Sequence, residues 1–253
     1  MAISLKSPTE IAIMREANEV VFKALDTIQK NIRPGVTTWE LDEICESVIR
    51  DNGATPSFKG YKGFPAALCI SVNEEVVHGI PSKKNKLREG DIVSIDTGTC
   101  IKGYYGDAAR TIGVGKISSA AEKLIEVTSQ CLDAAIQKCQ PGNRLGDVSN
   151  AIETIAEKNN YGIVIDFVGH GIGRSPHEEP QVSNRGTMKT GIILHPGLVI
   201  AIEPMLNLGT GEVKVLGDKW TVVTRDRKIS AHFEHSVAIT EDGPFVLSAK
   251  DQP

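Results

Sequence analysis

The sequence predicts an α+β fold with a pseudo-two-fold axis: an antiparallel sheet written twice, with four helices covering one face. Two observations predict it. A programme of two helices followed by strand-like runs occurs twice along the 253 residues. Individual residues also recur 107 positions apart: Pro34-Gly35 with Pro141-Gly142, and Leu87-x-x-Gly90 leading to Asp96 with Leu194-x-x-Gly197 leading to Glu203. Both of the longer segments read L-x-x-G-x-aliphatic-aliphatic-x-I-acid. His78-Gly-Ile-Pro81 against His177-Glu-Glu-Pro180 is a further match. The expected organisation is a single domain, residues 1–253, made of two halves of about 1–116 and 117–253.

The first helix is announced by Ser7-Pro8-Thr9-Glu10, an N-cap, a proline at the first helical position and a capping-box glutamate. Ile11, Met14, Ala17, Val21, Leu25 and Ile28 follow at helical spacing, and the helix stops before Pro34-Gly35. A second helix runs from near Thr37 to near Asn52-Gly53. Strands are expected over Ala67 to Val72, Asp91 to Thr99 and Tyr104 to Val114. Ser119-Ala-Ala-Glu122 opens a third helix that stops before Pro141-Gly142, a fourth covers about Leu145 to Asn159, and strands follow again.

Composition excludes several classes. Forty per cent of residues are hydrophobic, enough for a sizeable core. A net charge of −4 with dispersed basic residues gives no reason to expect nucleic acid or an anionic membrane as partner. No run approaches the ~18 apolar residues of a membrane span, and the N-terminus lacks a signal pattern. Five cysteines, an odd number with no C-x-x-C pair, argue against a disulfide framework or a zinc-thiolate site and for a reducing cytoplasm.

The chemistry sits at strand ends. Asp96 closes the apolar run DIVSID, where a carboxylate is costly unless paired or bound to a cation. Asp107 lies in the returning strand. A turn centred on Ile101-Lys102-Gly103 sets the two aspartates nearly opposite each other, about 5 Å apart at Cβ. The second half supplies Glu203, closing VIAIE before Pro204, and Glu234, entering the strand VAIT. Four carboxylates meeting at the axis carry a charge that two divalent cations neutralise. His170, between Gly169 and Gly171, is a fifth candidate ligand. That oxygen-rich set suits Mn²⁺, Fe²⁺, Co²⁺ or Zn²⁺. His195, His232 and His235 read as ordinary core or surface histidines.

CISVNEEVVHGIP, DIVSIDTG, GYYGDAARTI, GHGIGRSPHEEP, IEPM and EHSVAIT resemble, in order, the signature segments of type I methionine aminopeptidases. The resemblance runs from about residue 8 to 248. It implies the pita-bread fold and an enzyme that removes the initiator methionine from nascent chains when the second residue is small. Asp96 would chelate one metal, Asp107 and Glu234 would bridge two, and His170 and Glu203 would complete the other shell. The metals would share a water and deliver hydroxide to the carbonyl. Glu203 would move the proton, His177 would stabilise the oxyanion and His78 would stand near the scissile nitrogen. The methionine pocket would be lined by Phe58, Tyr61, Phe64, Cys69 and Trp220. Phe58 stands where some bacterial members have cysteine, and Pro176 where an aromatic is common. Backbone near Asn73, Glu75 and Ser230 would hold one Na⁺ or K⁺. A monomer acting near the ribosome is implied.

The alternatives are a proline-specific peptidase of the same fold, which usually carries an additional N-terminal domain, and a non-catalytic pita-bread module that binds peptides. Only 25 residues lie between His177 and Glu203, leaving no room for the insertion of the type II subclass. Met1-Ala2 would make the chain its own substrate.

Overall fold

The computed structural model describes residues 3–250, so the expectation about Met1-Ala2 lies outside the described residues. In chain order the elements are α1 (Pro8–Asn31), α2 (Thr38–Asp51), β1 (Thr55–Pro56), β2 (Leu68–Val72), β3 (Glu75–Val77), β4 (Ile92–Ile101), β5 (Tyr104–Gly113), α3 (Ser119–Gln137), α4 (Leu145–Lys158), β6 (Gly162–Ile163), β7 (Gly169–Gly171), β8 (Glu178–Val182), β9 (Val199–Ile202), β10 (Met205–Asn207), β11 (Val213–Val215), β12 (Val222–Thr224), β13 (Ser230–His232), β14 (Glu234–Thr240) and β15 (Gly243–Val246).

The helix starts follow from local chemistry. Ser7 and Thr37 each close a capping box with the glutamate three residues on, satisfying amides that the first helical turn leaves free. At α4 the device is different: Asp147 accepts from the Arg144 amide.

A nine-stranded antiparallel sheet runs β1-β4-β5-β14-β9-β7-β8, with β2 also on β4 and β15 on β14. On either side of the β5–β14 contact lie an antiparallel partner, β4 or β9, and a further strand, β2 or β7. Each side has its own apolar cluster. Val21, Leu25, Leu41 and Ile49 of α1 and α2 pack on Leu68, Ile70, Val93 and Ile95. Leu124, Val127, Cys131 and Ile152 of α3 and α4 pack on Ile200, Ile202, Val237 and Ile239. The odd-numbered residues of β4 thus face helices, as do the even-numbered ones of β9. Period-2 alternation then turns Asp96 and Glu203 to the opposite face.

Two features differ from the sequence expectation. First, the second half does not continue as one sheet. β13-β10-β6 and β11-β12-β3 form separate three-stranded sheets. Pro204 interrupts one strand pair, and Phe233, whose amide donates to the Pro204 carbonyl, interrupts the other at the same level. Glu203 lies in that gap. Second, Asp96 pairs with Ala109 and Asp107 with Gly98, so the aspartates are diagonal neighbours, not opposed. The turn is a tight two-residue one, with Lys102 at φ 51° and Gly103 at φ 79°. The expected centre at Lys102 sets Asp96 opposite Ala108, whereas the observed centre, half a residue further on, sets it opposite Ala109. That one-residue shift puts Asp107, two residues from Ala109, on the same face as Asp96, so both side chains project together.

Candidate metal centre and cavity

Register places the acidic residues. Ala109 on β5 is flanked by Asp96 on β4 and Glu234 on β14, and Asp107 is two residues away on the same face of β5. His170 pairs with Ala201, which shares its face with Glu203. The glycines around His170 have a steric reason. A Cβ on Gly169 would lie 2.3 Å from the Ala201 carbonyl oxygen, and one on Gly171 would lie 2.3 Å from that of Glu179. Only bare backbone lets β7 pass between β8 and β9 there.

The five side chains converge. Ligand atoms of Asp107, His170 and Glu234 lie within 4.8 Å of one another. His170 Nε2 is 3.6 Å from Glu203 Oε1. Burial, then the charges of Asp107 and Glu203, push the Asp96 carboxyl well above its ordinary range. Glu203 and Glu234 are raised by burial and then by Asp107. Burial also raises Asp107. Burial pushes His170 down to about 3 and His78 down to about 4, and the neighbouring His177 adds to both shifts.

Asp96 Oδ1, Asp107 Oδ1 and Glu234 Oε1 are buried without a hydrogen-bond partner among the described residues. Such orphaned acceptors are expensive in a protein interior. Divalent cations supply what these atoms lack, and the donor set of carboxylates plus one imidazole fits hard or borderline ions.

The cluster opens into a cavity of about 160 Å³. Its lining contains all five proposed ligands, His78, His177, and the five residues assigned to the methionine pocket: Phe58, Tyr61, Phe64, Cys69 and Trp220. Phe64 and Trp220 meet edge to face at 5.1 Å. His177 is exposed and lies 5.3 Å from the Tyr61 ring and 4.2 Å from that of His170. Partial desolvation and then Lys62 lower its pKa. Pro176 is buried but does not line the cavity. Away from the cavity, the Ser230 amide donates to the Asn73 carbonyl, and the Glu75 carboxylate accepts from the Val72 amide.

Two residues escaped the sequence reading. His232 is 1% exposed, its Nε2 is 3.9 Å from Glu203 Oε2, and that nitrogen has no hydrogen-bond partner. It is therefore not a satisfied core histidine. The signal was available, because alternation turns away Phe233 and His235 but returns His232 to the face of Glu234. His235 does bond Ser248, and His195 is exposed, as expected. Lys62 also lines the cavity.

A duplicated antiparallel sheet with a buried carboxylate–histidine cluster at its centre is the architecture of a metal-dependent hydrolase. The chain belongs to metallopeptidase family M24, whose family model matches residues 12–241. It is 52% identical over 246 residues to a methionine aminopeptidase of Clostridium perfringens, covering 97% of this chain and 98% of that protein. Among solved structures, the methionine aminopeptidase from Thermotoga maritima superposes with a TM-score of 0.97 at 44% identity, over 98% of this chain and all of that one. The prolidase from Pyrococcus furiosus superposes at 0.78 with 25% identity, and the match covers 66% of its chain. The fold is the pita-bread fold.

Proposed function

We propose that this chain is a metallo-aminopeptidase that removes the N-terminal methionine from nascent proteins and peptides whose second residue is small. One observation carries the reading: four carboxylates, three histidines and an aromatic, thiol-lined pocket share a single cavity. The full-length likeness to methionine aminopeptidases supports it over a proline-specific peptidase, and the intact set of acids and histidines speaks against a non-catalytic module.

In this reading Asp96, Asp107, Glu234, Glu203 and His170 would hold two divalent ions, Mn²⁺, Fe²⁺, Co²⁺ or Zn²⁺. Bound there, the ions supply Lewis acidity and a water acidic enough to lose a proton near neutral pH. Glu203 would accept a proton from the attacking water and return it to the departing amine. His177 donates a hydrogen bond to the carbonyl oxygen as negative charge develops on it. His78 stands beside the scissile nitrogen and assists proton transfer. Tyr61, Phe64, Cys69, Trp220 and Phe58 receive the methionine side chain, whose flexible thioether suits an aromatic and sulfur-lined wall. The carboxylate end of the cavity receives the free α-amine, which restricts cleavage to the first residue.

The catalytic unit spans both halves, about 1–116 and 117–253, with a ligand pair from each. We assign one Na⁺ or K⁺ to the backbone around Asn73, Glu75 and Ser230. We also assign the enzyme to the cytoplasm, as a monomer working near the ribosome.

Competition among Met-Ala-Ser, Met-Leu-Ser, Leu-Ala-Ser and N-acetyl-Met-Ala-Ser tests the reading. Only the first is cut quickly. Efficient cleavage of Leu-Ala-Ser or of the acetylated peptide means that the pocket or the amine anchor has been misassigned.

A further inference from the structure

Lys62 lines the cavity and has no part in the roles above. Its placement is fixed by the backbone. It sits at φ 47°, ψ 23°, a region that residues with a side chain seldom occupy, between Gly60 and Gly63, both at φ 88°. Four backbone hydrogen bonds close this turn: Tyr61 to Phe58, Gly63 to Gly60, Phe64 to Tyr61, and Gly60 to Phe64. Such a conformation persists where its surroundings over-determine it. The side chain is exposed, and Nζ lies 5.3 Å from the centre of the Tyr61 ring. Among the described residues no carboxylate lies within ion-pair distance of it. The ammonium is thus a positive charge at the mouth without a protein counter-ion, in a cavity whose other formal charges belong to buried acids.

The distances say which part of a substrate meets it. Tyr61 is stacked on His177 at 5.3 Å with 13° between the rings. Two steps of 5.3 Å put Lys62 Nζ within about 11 Å of the His177 ring. An extended chain advances roughly 3.3–3.6 Å per residue, so Lys62 Nζ lies no more than about three residues beyond a carbonyl held at His177.

We propose that Lys62 is a specificity-determining residue. It favours substrates with a negative charge at the third or fourth residue and disfavours those with a positive charge there. The proposal rests on the functional reading above, in which His177 meets the scissile carbonyl. The shared chemistry is a carboxylate, supplied either by an acidic side chain or by the C-terminus of a short peptide. An interaction of this kind at a solvent-exposed site corresponds to about two- to five-fold in rate.

Two pairs of peptides distinguish the sources: Met-Ala-Ser as free acid against its C-terminal amide, and amidated Met-Ala-Glu-Ser against amidated Met-Ala-Lys-Ser. Each enzyme form is scored by the ratio of kcat/KM within a pair, so a general loss of activity cancels. At low ionic strength the wild-type ratio favours the acid in both pairs by about two- to five-fold, through KM. Lys62→Gln brings both ratios to about one, and Lys62→Glu inverts them. At about 1 M salt, where screening shortens the reach of charge to ~3 Å, the wild-type preference collapses. A purely structural role of Lys62 does not change these ratios. Ratios near one in the wild type, or an acid preference that survives in Lys62→Gln, would overturn the proposal while leaving methionine removal intact. No methionine released from any peptide, amides included, would overturn the functional reading and this proposal with it.

Discussion

Lys6 offers a test of how the protein holds His177 from a distance. Its ammonium is bonded to Glu178 Oε2 at 2.5 Å and to the Ser4 carbonyl at 2.9 Å. The other oxygen of Glu178 accepts the amides of Arg174 and Ser175, at 2.7 and 3.1 Å. The N-terminal strap thereby clamps the loop that presents His177, and the strap is itself anchored by the Lys6 amide on the Gly197 carbonyl. The side chains of Lys6 and Glu178 are 3% and 18% exposed. Removing one partner of a fully buried pair costs about 3–5 kcal/mol, because the other charge is left uncompensated. Glu178 keeps two amide donors and some solvent, so Lys6→Met should cost about 2–3 kcal/mol. For a chain of this size that lowers the melting temperature by roughly 4–10 °C. A loosened loop also misplaces His177, and displacements near 1 Å cost up to about 10²-fold in rate. The expected result is a kcat for Met-Ala-Ser at least about ten-fold lower, with a smaller change in KM. In the double variant Lys6→Met/Glu178→Gln no charge is left stranded, and much of the stability returns. A melting temperature within about 1 °C of wild type together with kcat within about two-fold would refute the clamp.

Two further predictions concern the metal centre. Asp107→Ala or Glu234→Ala removes one of the clustered carboxylates proposed to hold metal, so metal content by elemental analysis and activity should both be lost. His177→Ala keeps the metals but slows turnover by about 10²–10³-fold, the usual cost of an oxyanion donor; metal loss in that variant contradicts its assignment. The second prediction concerns pH. Burial raises Asp96, Glu203 and Glu234 well above the ordinary carboxylate range. In the metal-free protein the unfolded chain ionises first, so this contribution is complete below about pH 4 and is lost as pH rises. The buried histidines act in the opposite sense, but their effect is complete by about pH 6.5. Asp107, raised by burial to about 7, titrates in the same sense, so melting of chelator-treated protein should decline as pH rises through about 7. Added metal, which binds the ionised forms, should abolish the decline. A flat metal-free profile counts against the carboxylate cluster.

How much of this was legible in the sequence depended on the range of the forces involved. Ser7 with Glu10 and Thr37 with Glu40 act within one helical turn, so both helix starts could be read directly. The faces of Asp96, Asp107, Glu203 and Glu234 could be read as well, because alternation along each strand separates them from its apolar, helix-facing residues without reference to the partner strand. The register itself turned on whether Lys102 would take a positive φ, a small local energy that the strand pattern does not carry. Pro204 marked the break in the second half, but Phe233 carries no such mark, so the split into separate sheets needed coordinates. His232 could have been found by carrying alternation one step further back along its strand. Lys62 could not: an exposed lysine between two glycines looks like any surface turn, and only the stack on Tyr61 and His177 ties it to the cavity.

The central claim is that methionine release depends on metal bound by the buried carboxylate cluster. Its most direct test is a titration of chelator-stripped protein with Mn²⁺, Fe²⁺, Co²⁺ and Zn²⁺ separately, following free methionine from Met-Ala-Ser. The account predicts no release without metal, restoration by at least one of these ions, and a break in the metal-binding isotherm at about two equivalents per chain. Undiminished release by protein shown to be free of metal would contradict it, as would failure of every one of these ions to restore cleavage.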